Sequence, residues 1–262
     1  MTYEYKASCI SRTGKVRSDN EDNFYFNGKT LPSENNGLRN ALYMEGNTKD
    51  IQTVAVFDGM GGELGGELAA SSAAEKYSEL FAGITSKAMN PRVFLNETVS
   101  ALNNAVYEKA KQTGITRSGT TAAILYFSLD QMYISNIGDS RIYRYLNGQL
   151  DQLSEDDVLY NPNIKNQHLT QYIGIDPNQY SLSTHVKKGK ISDKELILLC
   201  TDGLYNAVSP EEICRILNDY RNDLAVCAEK LADAAENNGG DDNCTVILVS
   251  FNRRSWWKNL LK

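Results

Sequence analysis

Four apolar runs of strand length in this chain carry an aspartate at one end, each beside a glycine or an asparagine. They are VAVFDGMGG with Asp58, ISNIGDSR with Asp139, LILLCTDGL with Asp202, and GGDDNCTVILV with Asp241 and Asp242. Asp22, in the NED ahead of FYF, has a similar setting. A strand end holds a side chain at a fixed place on the rim of a sheet. Carboxylates gathered on one rim repel one another or take up protons, unless cations neutralise them. Carboxylate, carbonyl and water oxygens suit Mg²⁺ or Mn²⁺. Any one of these aspartates fits an ordinary turn, but the same setting repeated four times points to metal. Gly59, with no side chain in the way, can offer its backbone carbonyl to such an ion.

The glycines after Asp58 raise a second reading, a phosphate held by backbone N–H groups at a helix start. Both familiar patterns fail. The dinucleotide spacing from Gly59 and Gly61 meets Leu64 at its third glycine. The P-loop spacing from Gly61 to Gly66 is followed by Glu67 and Leu68, where lysine and a hydroxyl residue belong. A glutamate there repels phosphate.

The 262 residues suffice for one large domain or two small ones, and the net charge of −6 comes with no basic block before the last residues. That argues against nucleic acid as a partner. The beginning, MTYEYKASCI, lacks an apolar signal core, and no run reaches membrane-spanning length. Five cysteines without a C-x-x-C pair read as reduced core residues of a cytoplasmic protein. Two histidines are too few for a His/Cys zinc site. A cysteine–histidine nucleophile has no local signature to support it.

Periodicity predicts strands over 5–12 and 22–26, a surface loop through NGKTLPSENNGLRN, and a buried strand in IQTVAVF. ELAASSAAEKYSELFA reads as a helix. A second helix starts at the Asn90 cap and Pro91, and Gly114 closes it. Strands follow in SGTTAAILYF and QMYISNIGDS, with an Asn147–Gly148 hairpin turn in RIYRYLNGQL. Residues 155–190 show no clean period and read as an irregular flap. ELILLC is a strand, Ser209, Pro210 and Glu212 open a helix, another helix runs to about Asn237, and CTVILVSF is the last strand. Antiparallel runs with paired helices predict an α+β fold, stacked sheets covered by helices.

From Ser8 to Phe251, the segments GKVRSDNED, VFDGMGG, SGTT (118–121), NIGDSR, LTQYIG, CTDGL and GGDDNCTV occur in an order that resembles the metal-dependent serine/threonine protein phosphatases of the PP2C (PPM) family, bacterial branch. The resemblance implies a central antiparallel β-sandwich flanked by pairs of helices over residues 1–252, with the flap at about 155–190 and a basic aromatic tail at 253–262. It implies two tight Mn²⁺ or Mg²⁺ ions and a weaker third. Asp58 would bridge the first two, joined by the Gly59 carbonyl, Asp202 and Asp242; Asp139 would hold the third with Asp202. Asp242 is preferred to Asp241 because it directly precedes Asn243. Glu21 and Asp22 would orient water from behind the ligands, and Arg17 would clamp the substrate phosphate. A water bridging two cations becomes hydroxide near neutral pH and attacks phosphorus in line. The implied partners are phosphoserine and phosphothreonine proteins and a cognate kinase, and the expected state is a cytoplasmic monomer with no transmembrane segment.

Three departures stand out. Met60 takes the place of a histidine that eukaryotic relatives carry. Asp157 and Val158 stand where a histidine and a serine are usual, and the Asn27–Asp50 loop is long. His168 and His185 read as structural or surface residues. The tail NRRSWWKNLLK reads as a docked terminal segment, with a membrane surface or a partner as the other possibility. Two other functions stay open at this point: a binding module without turnover, and a hydrolase of small phosphoesters.

Overall fold

Every strand pairing is antiparallel among the residues that the computed structural model describes: 1–61, 65–84, 89–115, 117–159 and 168–253. The chain runs through β1 (Tyr3–Arg12), β2 (Asp22–Phe26), β3 (Leu42–Asn47) and β4 (Gln52–Gly61), then α1 (Gly65–Ala82) and α2 (Pro91–Thr113). Next come β5 (Ser118–Thr120), β6 (Ala122–Ser128), β7 (Gln131–Ile137), β8 (Arg141–Leu146) and β9 (Gln149–Gln152). The short β10 (Val158–Leu159) and β11 (His168–Leu169) pair with each other ahead of β12 (His185–Lys190) and β13 (Leu196–Cys200). After them lie α3 (Asp202–Tyr205), α4 (Pro210–Tyr220), α5 (Leu224–Asn237) and β14 (Cys244–Arg253).

Two sheets result, one in the order β3-β1-β14-β13-β8-β9, the other β12-β7-β6-β4-β2 with β5 added to β4. The unbroken apolar runs follow from the layering. In β4, Val54 and Val56 face the core between the sheets, while Ala55 and Phe57 face α1 and α2. In β14, Ile247, Val249 and Phe251 point inward, and Val246 and Leu248 pack under α4 and α5. A strand buried on both faces has no polar phase to show. Each fully buried Val, Leu, Ile or Phe contributes roughly 1.5–3 kcal/mol through burial.

The local signals hold as expected. The Asn90 side chain accepts from the Arg92 N–H at 3.0 Å, and Gly114 closes α2 with φ 75°. Asn147 and Gly148 both take positive φ, 52° and 84°, the turn that suits strand twist between β8 and β9. The Ser209 hydroxyl caps α4 by accepting from the Glu212 N–H.

Four strands lie where only loop was expected. β3 falls inside the Asn27–Asp50 loop, the short β10 and β11 lie inside the 155–190 segment, and β12 closes that segment against β7. β3 and β12 are sheet edges. In β3 only Met44 is fully buried, and β12 carries Lys187, Lys188 and Lys190. Lysines on an edge discourage pairing with another chain, and they also hide the strand from a hydrophobicity reading. Residues 160–167 of the expected flap lie outside the described residues. β14 continues through Arg253, and the tail beyond it, 254–262, also lies outside them. No described helix is long and apolar enough to cross a membrane.

Candidate active site

Register brings the first two aspartates together. β2 pairs with β4 so that Asp22 stands opposite Asp58. The inward faces of Phe24, Phe26, Val54 and Val56 fix that register, since a one-residue slip would turn them outward. The Asp58 backbone is held on its other side by the SGTT stretch. Its N–H donates to Thr121 Oγ1 at 3.0 Å, and its carbonyl accepts from the Thr121 N–H and the Thr120 hydroxyl, both at 2.9 Å. Gly59 donates its N–H to the Glu21 carbonyl at 3.2 Å. A Cβ on Gly59 would collide with the backbone of Gly66, at the start of α1, and of Glu21. Close packing therefore demands glycine here, a reason independent of any ligand to its carbonyl.

The second sheet delivers the others. β13 ends at Cys200, Thr201 follows it, and Asp202 begins α3. The Thr201 hydroxyl does not cap that helix; it donates to Asp22 Oδ2 at 2.8 Å and accepts from the Thr245 N–H at 3.0 Å. Asp202 Oδ2 accepts from the Asn206 amide at 3.0 Å. Asp242 precedes β14 and uses its two oxygens on the Asn243 N–H at 2.9 Å and on Arg17 Nη2 at 3.0 Å. Asn243 pins the segment carrying Arg17 and Glu21. Its amide donates to the carbonyls of Thr13 and Asp19, and its oxygen accepts from the Glu21 N–H at 2.8 Å. Asp139 follows Gly138 at the end of β7, and its carbonyl accepts from the Tyr205 hydroxyl at 3.0 Å.

Charge accumulates on this rim. Burial, and after it the charges of Asp22, Asp202, Asp139 and Asp242, push the Asp58 carboxyl well above the usual range. Asp22 is pushed up to about 8, mainly by burial, against the hydrogen bonds of Thr245 and Thr201. Asp202 rises to about 7 through burial and the charges of Asp242 and Asp139, although a hydrogen bond from Asp58 eases it. Burial and then Asp156 raise Asp139. Glu21, beside the buried Glu67, rises to about 7 through burial and that neighbouring charge.

These oxygens suit a hard divalent cation, and their raised affinity for protons measures the positive charge they lack. The donor set, all of it oxygen, fits such an ion in chemistry. It is not already closed into a cage: among the described residues, no three His, Cys, Asp or Glu side chains surround a single ion position. Asp242 is drawn to Arg17, and Asp202 to Asn206. Asp241 is exposed, and only its carbonyl, 3.4 Å from Arg17 Nε, faces the site. Every expected site residue thus lies at one end of the sandwich. Arg17, expected to bind phosphate, also has a protein partner in Asp242, while 47% of its side chain stays exposed.

Other contributors were not foreseen. Thr201, Thr121 and Asn243 lie within the quoted motifs, but they carry no charge, and their partners are distant in sequence. His185, read as structural or surface, touches two acids: Nε2 lies 2.9 Å from Asp157 Oδ1, and Nδ1 3.4 Å from Glu155 Oε2. Asp157 also accepts from the Gly138 N–H at 2.9 Å and from Gln171 at 2.8 Å. The aspartate that replaces the usual histidine thus gains an imidazole from 28 residues further on, and it buttresses the residue before Asp139. His168 is exposed.

Comparison with known families matches residues 40–239 to the family described as Protein phosphatase 2C. The chain belongs to that family. It is a serine/threonine protein phosphatase, similar to the Serine/threonine phosphatase stp of Listeria monocytogenes, with 28% identity over 255 residues, 90% of this chain and 92% of that one. The phosphatase is also 26% identical over 260 residues to the Serine/threonine protein phosphatase PstP of Mycobacterium tuberculosis, covering 95% of this chain and 45% of that protein. Among solved structures, the catalytic domain of PstP in complex with two manganese ions superposes with a TM-score of 0.76 at 24% identity, over 96% of this chain and all of that one. That likeness shows a shared fold.

Proposed function

We propose that the rim formed by Asp58, Asp202, Asp242, Asp139 and the Gly59 carbonyl holds divalent cations, Mn²⁺ or Mg²⁺, and that the phosphatase uses them to hydrolyse phosphoserine and phosphothreonine in proteins by in-line attack of water. The observation that carries this reading is the crowding of carboxylates on one rim, where burial first and neighbouring aspartates after it push Asp22 up to about 8 and Asp202 to about 7. The manganese pair in the PstP catalytic domain supports it. Bound divalent ions supply Lewis-acid polarisation and water activation.

The chain's own residues do the rest. The exposed guanidinium of Arg17 offers planar donors to a phosphoryl group, and Asp242 sets its direction. Asp22, braced by Thr201, stands behind Asp58, where it can orient water and accept a proton. Glu21, anchored by Asn243, lies at the start of α1 in a similar role. A phosphocysteine route is disfavoured because burial pushes the thiols of Cys9, Cys200, Cys214, Cys227 and Cys244 upward. Met60 has no proton to give the leaving group, so that proton comes from water or from another residue. In this reading the third, weaker ion sits by Asp139, and the partners are phosphoproteins made by a serine/threonine kinase.

The test is phosphate release from a phosphothreonine peptide. Activity is expected with Mn²⁺, lost with EDTA and restored by excess Mn²⁺. Full turnover in metal-stripped protein would overturn the proposal.

A further inference from the structure

Past Gly59, β4 continues to Met60 and Gly61, and these residues form one wall of a cavity of about 600 Å³. Its other walls come from the end of α2, with Tyr107 and Lys111, and from the segment carrying Tyr172, Ile175 and Tyr180. Strand residues advance roughly 3.3 Å each, so the cavity opens about 7 Å from Asp58, some two residues of extended peptide away.

The walls are held by the same framework that places Asp58. β5 pairs with Gly59–Gly61 of β4, and Ile173 extends that pairing through two backbone hydrogen bonds to Thr120, at 2.9 and 2.8 Å. Buried Asn103 of α2 ties the next turn down. Its oxygen accepts from the Gly174 and Ile175 N–H groups at 2.7 and 3.0 Å, and its amide donates to the Ile175 carbonyl at 3.0 Å. The Tyr172 ring lies flat enough on Gly119 that a Cβ there would come within 2.5 Å of it. A preformed recess with aromatic and aliphatic walls is the usual form of a binding site.

Its polar groups are uneven. Asp176 is engaged by Asn178, Gln179 and Tyr107, whereas Lys111 and Arg117 stand exposed at the mouth. The recess is therefore lined by the half-buried rings of Tyr107 and Tyr172, with the exposed Tyr180, Lys111 and Arg117 around it.

We infer that this cavity receives the part of the phosphoprotein substrate that flanks the phosphoresidue, seating a large apolar or aromatic side chain between Tyr172 and Tyr180 with an acidic neighbour near Lys111. The inference rests on the phosphatase reading of the adjoining rim. It makes Tyr180 and Lys111 specificity residues, with no part in the chemistry.

The experiment compares wild type with Tyr180→Ala and Lys111→Ala, both exposed positions whose loss leaves the core intact. Each is assayed with Mn²⁺ on p-nitrophenyl phosphate, on an alanine-flanked phosphothreonine peptide, and on peptides in which phenylalanine is scanned through the flanking positions. A parallel set carries a non-hydrolysable phosphonate and is followed by fluorescence anisotropy. Wild type is expected to favour at least one phenylalanine position by roughly ten-fold in kcat/KM and in affinity, the scale of a buried aromatic anchor. Tyr180→Ala should erase that preference, and Lys111→Ala should weaken peptides with an acidic neighbour, both with p-nitrophenyl phosphate turnover unchanged. A flat phenylalanine scan, or an equal loss on the small ester and every peptide, would overturn the inference. Absence of turnover on all substrates would count against the phosphatase chemistry instead, and the anisotropy scan would still decide the cavity.

Discussion

Two groups of aspartates, linked through Gly138 and Asp139, have opposite fates. At the root of the flap, Asp156 accepts from Arg141 Nε and Nη2 at 2.9 and 2.7 Å and from Gln152 at 2.7 Å. Asp157 accepts from a backbone N–H, an amide and an imidazole. On the rim, Asp58, Asp22 and Asp202 have neutral donors and one another, and their proton affinities rise accordingly. Burial alone does not distinguish the groups, since Asp157 and Asp22 are both buried. The difference is in the partners. The flap-root aspartates have full sets of protein donors, with the Arg141 guanidinium on Asp156, whereas of the rim aspartates proposed as ligands only Asp242 has a cationic side chain bonded to it among the described residues, Arg17. Tyr205 joins the two groups, for its ring lies under Arg141 at 3.6 Å and its hydroxyl holds the Asp139 carbonyl.

The sharpest way to break this contrast is Asp58→Asn. Under the proposed reading, turnover falls by on the order of a thousand-fold, since removing an ion's bridge removes several kcal/mol of transition-state stabilisation. The same change should raise the melting temperature of EDTA-treated protein, because it deletes a repelling charge. Retained activity, or a lower melting temperature in EDTA, would dissolve the distinction between the groups.

The contrast also has a pH signature. Asp22 and Asp202 have folded values near 8 and 7 against an ordinary value of 3.8. Between those limits the folded state keeps protons that the unfolded chain has released, so stability falls as pH rises. Metal-free protein should be more resistant to urea at pH 5 than at pH 8, and Mn²⁺ should reverse the trend. A flat profile in EDTA would show that the rim carboxylates do not repel.

At the flap root the sign of the argument inverts. Asp156→Ala strands the Arg141 guanidinium in a half-buried place and should cost about 2–3 kcal/mol in urea unfolding, with Mn²⁺-dependent turnover retained per folded molecule. The smallest effect belongs to Asp157→Asn, which keeps an acceptor for Gly138 but weakens the hold of His185. It should lower kcat by about ten-fold or less, with KM steady, as expected when a supporting contact behind a ligand is loosened. A change in KM alone would assign Asp157 to substrate contact.

Much of this was legible in the sequence, because the relevant chemistry is local. Long apolar runs announced β4, β13 and β14; a capping asparagine and a closing glycine bounded α2; an Asn-Gly pair marked the β8–β9 turn. The aspartates were visible because each punctuates a run, although their separate roles came only from the family resemblance. The edge strands β3 and β12 escaped because one exposed face and several polar residues erase the apolar signal. Thr201 escaped for another reason: its partner Asp22 lies 179 residues away, and no spacing rule reaches that far. Gly59 was read for its carbonyl, while the structure shows that the neighbouring backbone leaves no room for a side chain.

One further consequence lies in the order of assembly. β1 pairs along its whole length with β14, from Tyr3 opposite Arg253 to Arg12 opposite Cys244. The pairings among β2, β4, β6 and β7 need no residue beyond Ile137, so that part of its sheet can form before β14 has been made. The other sheet cannot close until β14 has been made, because β1 pairs with that strand from the far side of the domain, and closing so long a loop is slow. Until then one edge of β1 waits without its partner, and the inward faces of Phe24, Val54 and Val56 lack their cover. A nascent chain of this kind depends on chaperones or on speed to avoid aggregation. The delay has a compensating feature. Asp242 arrives with that same strand, so the full set of mutually repelling carboxylates comes together only when β14 docks between β1 and β13.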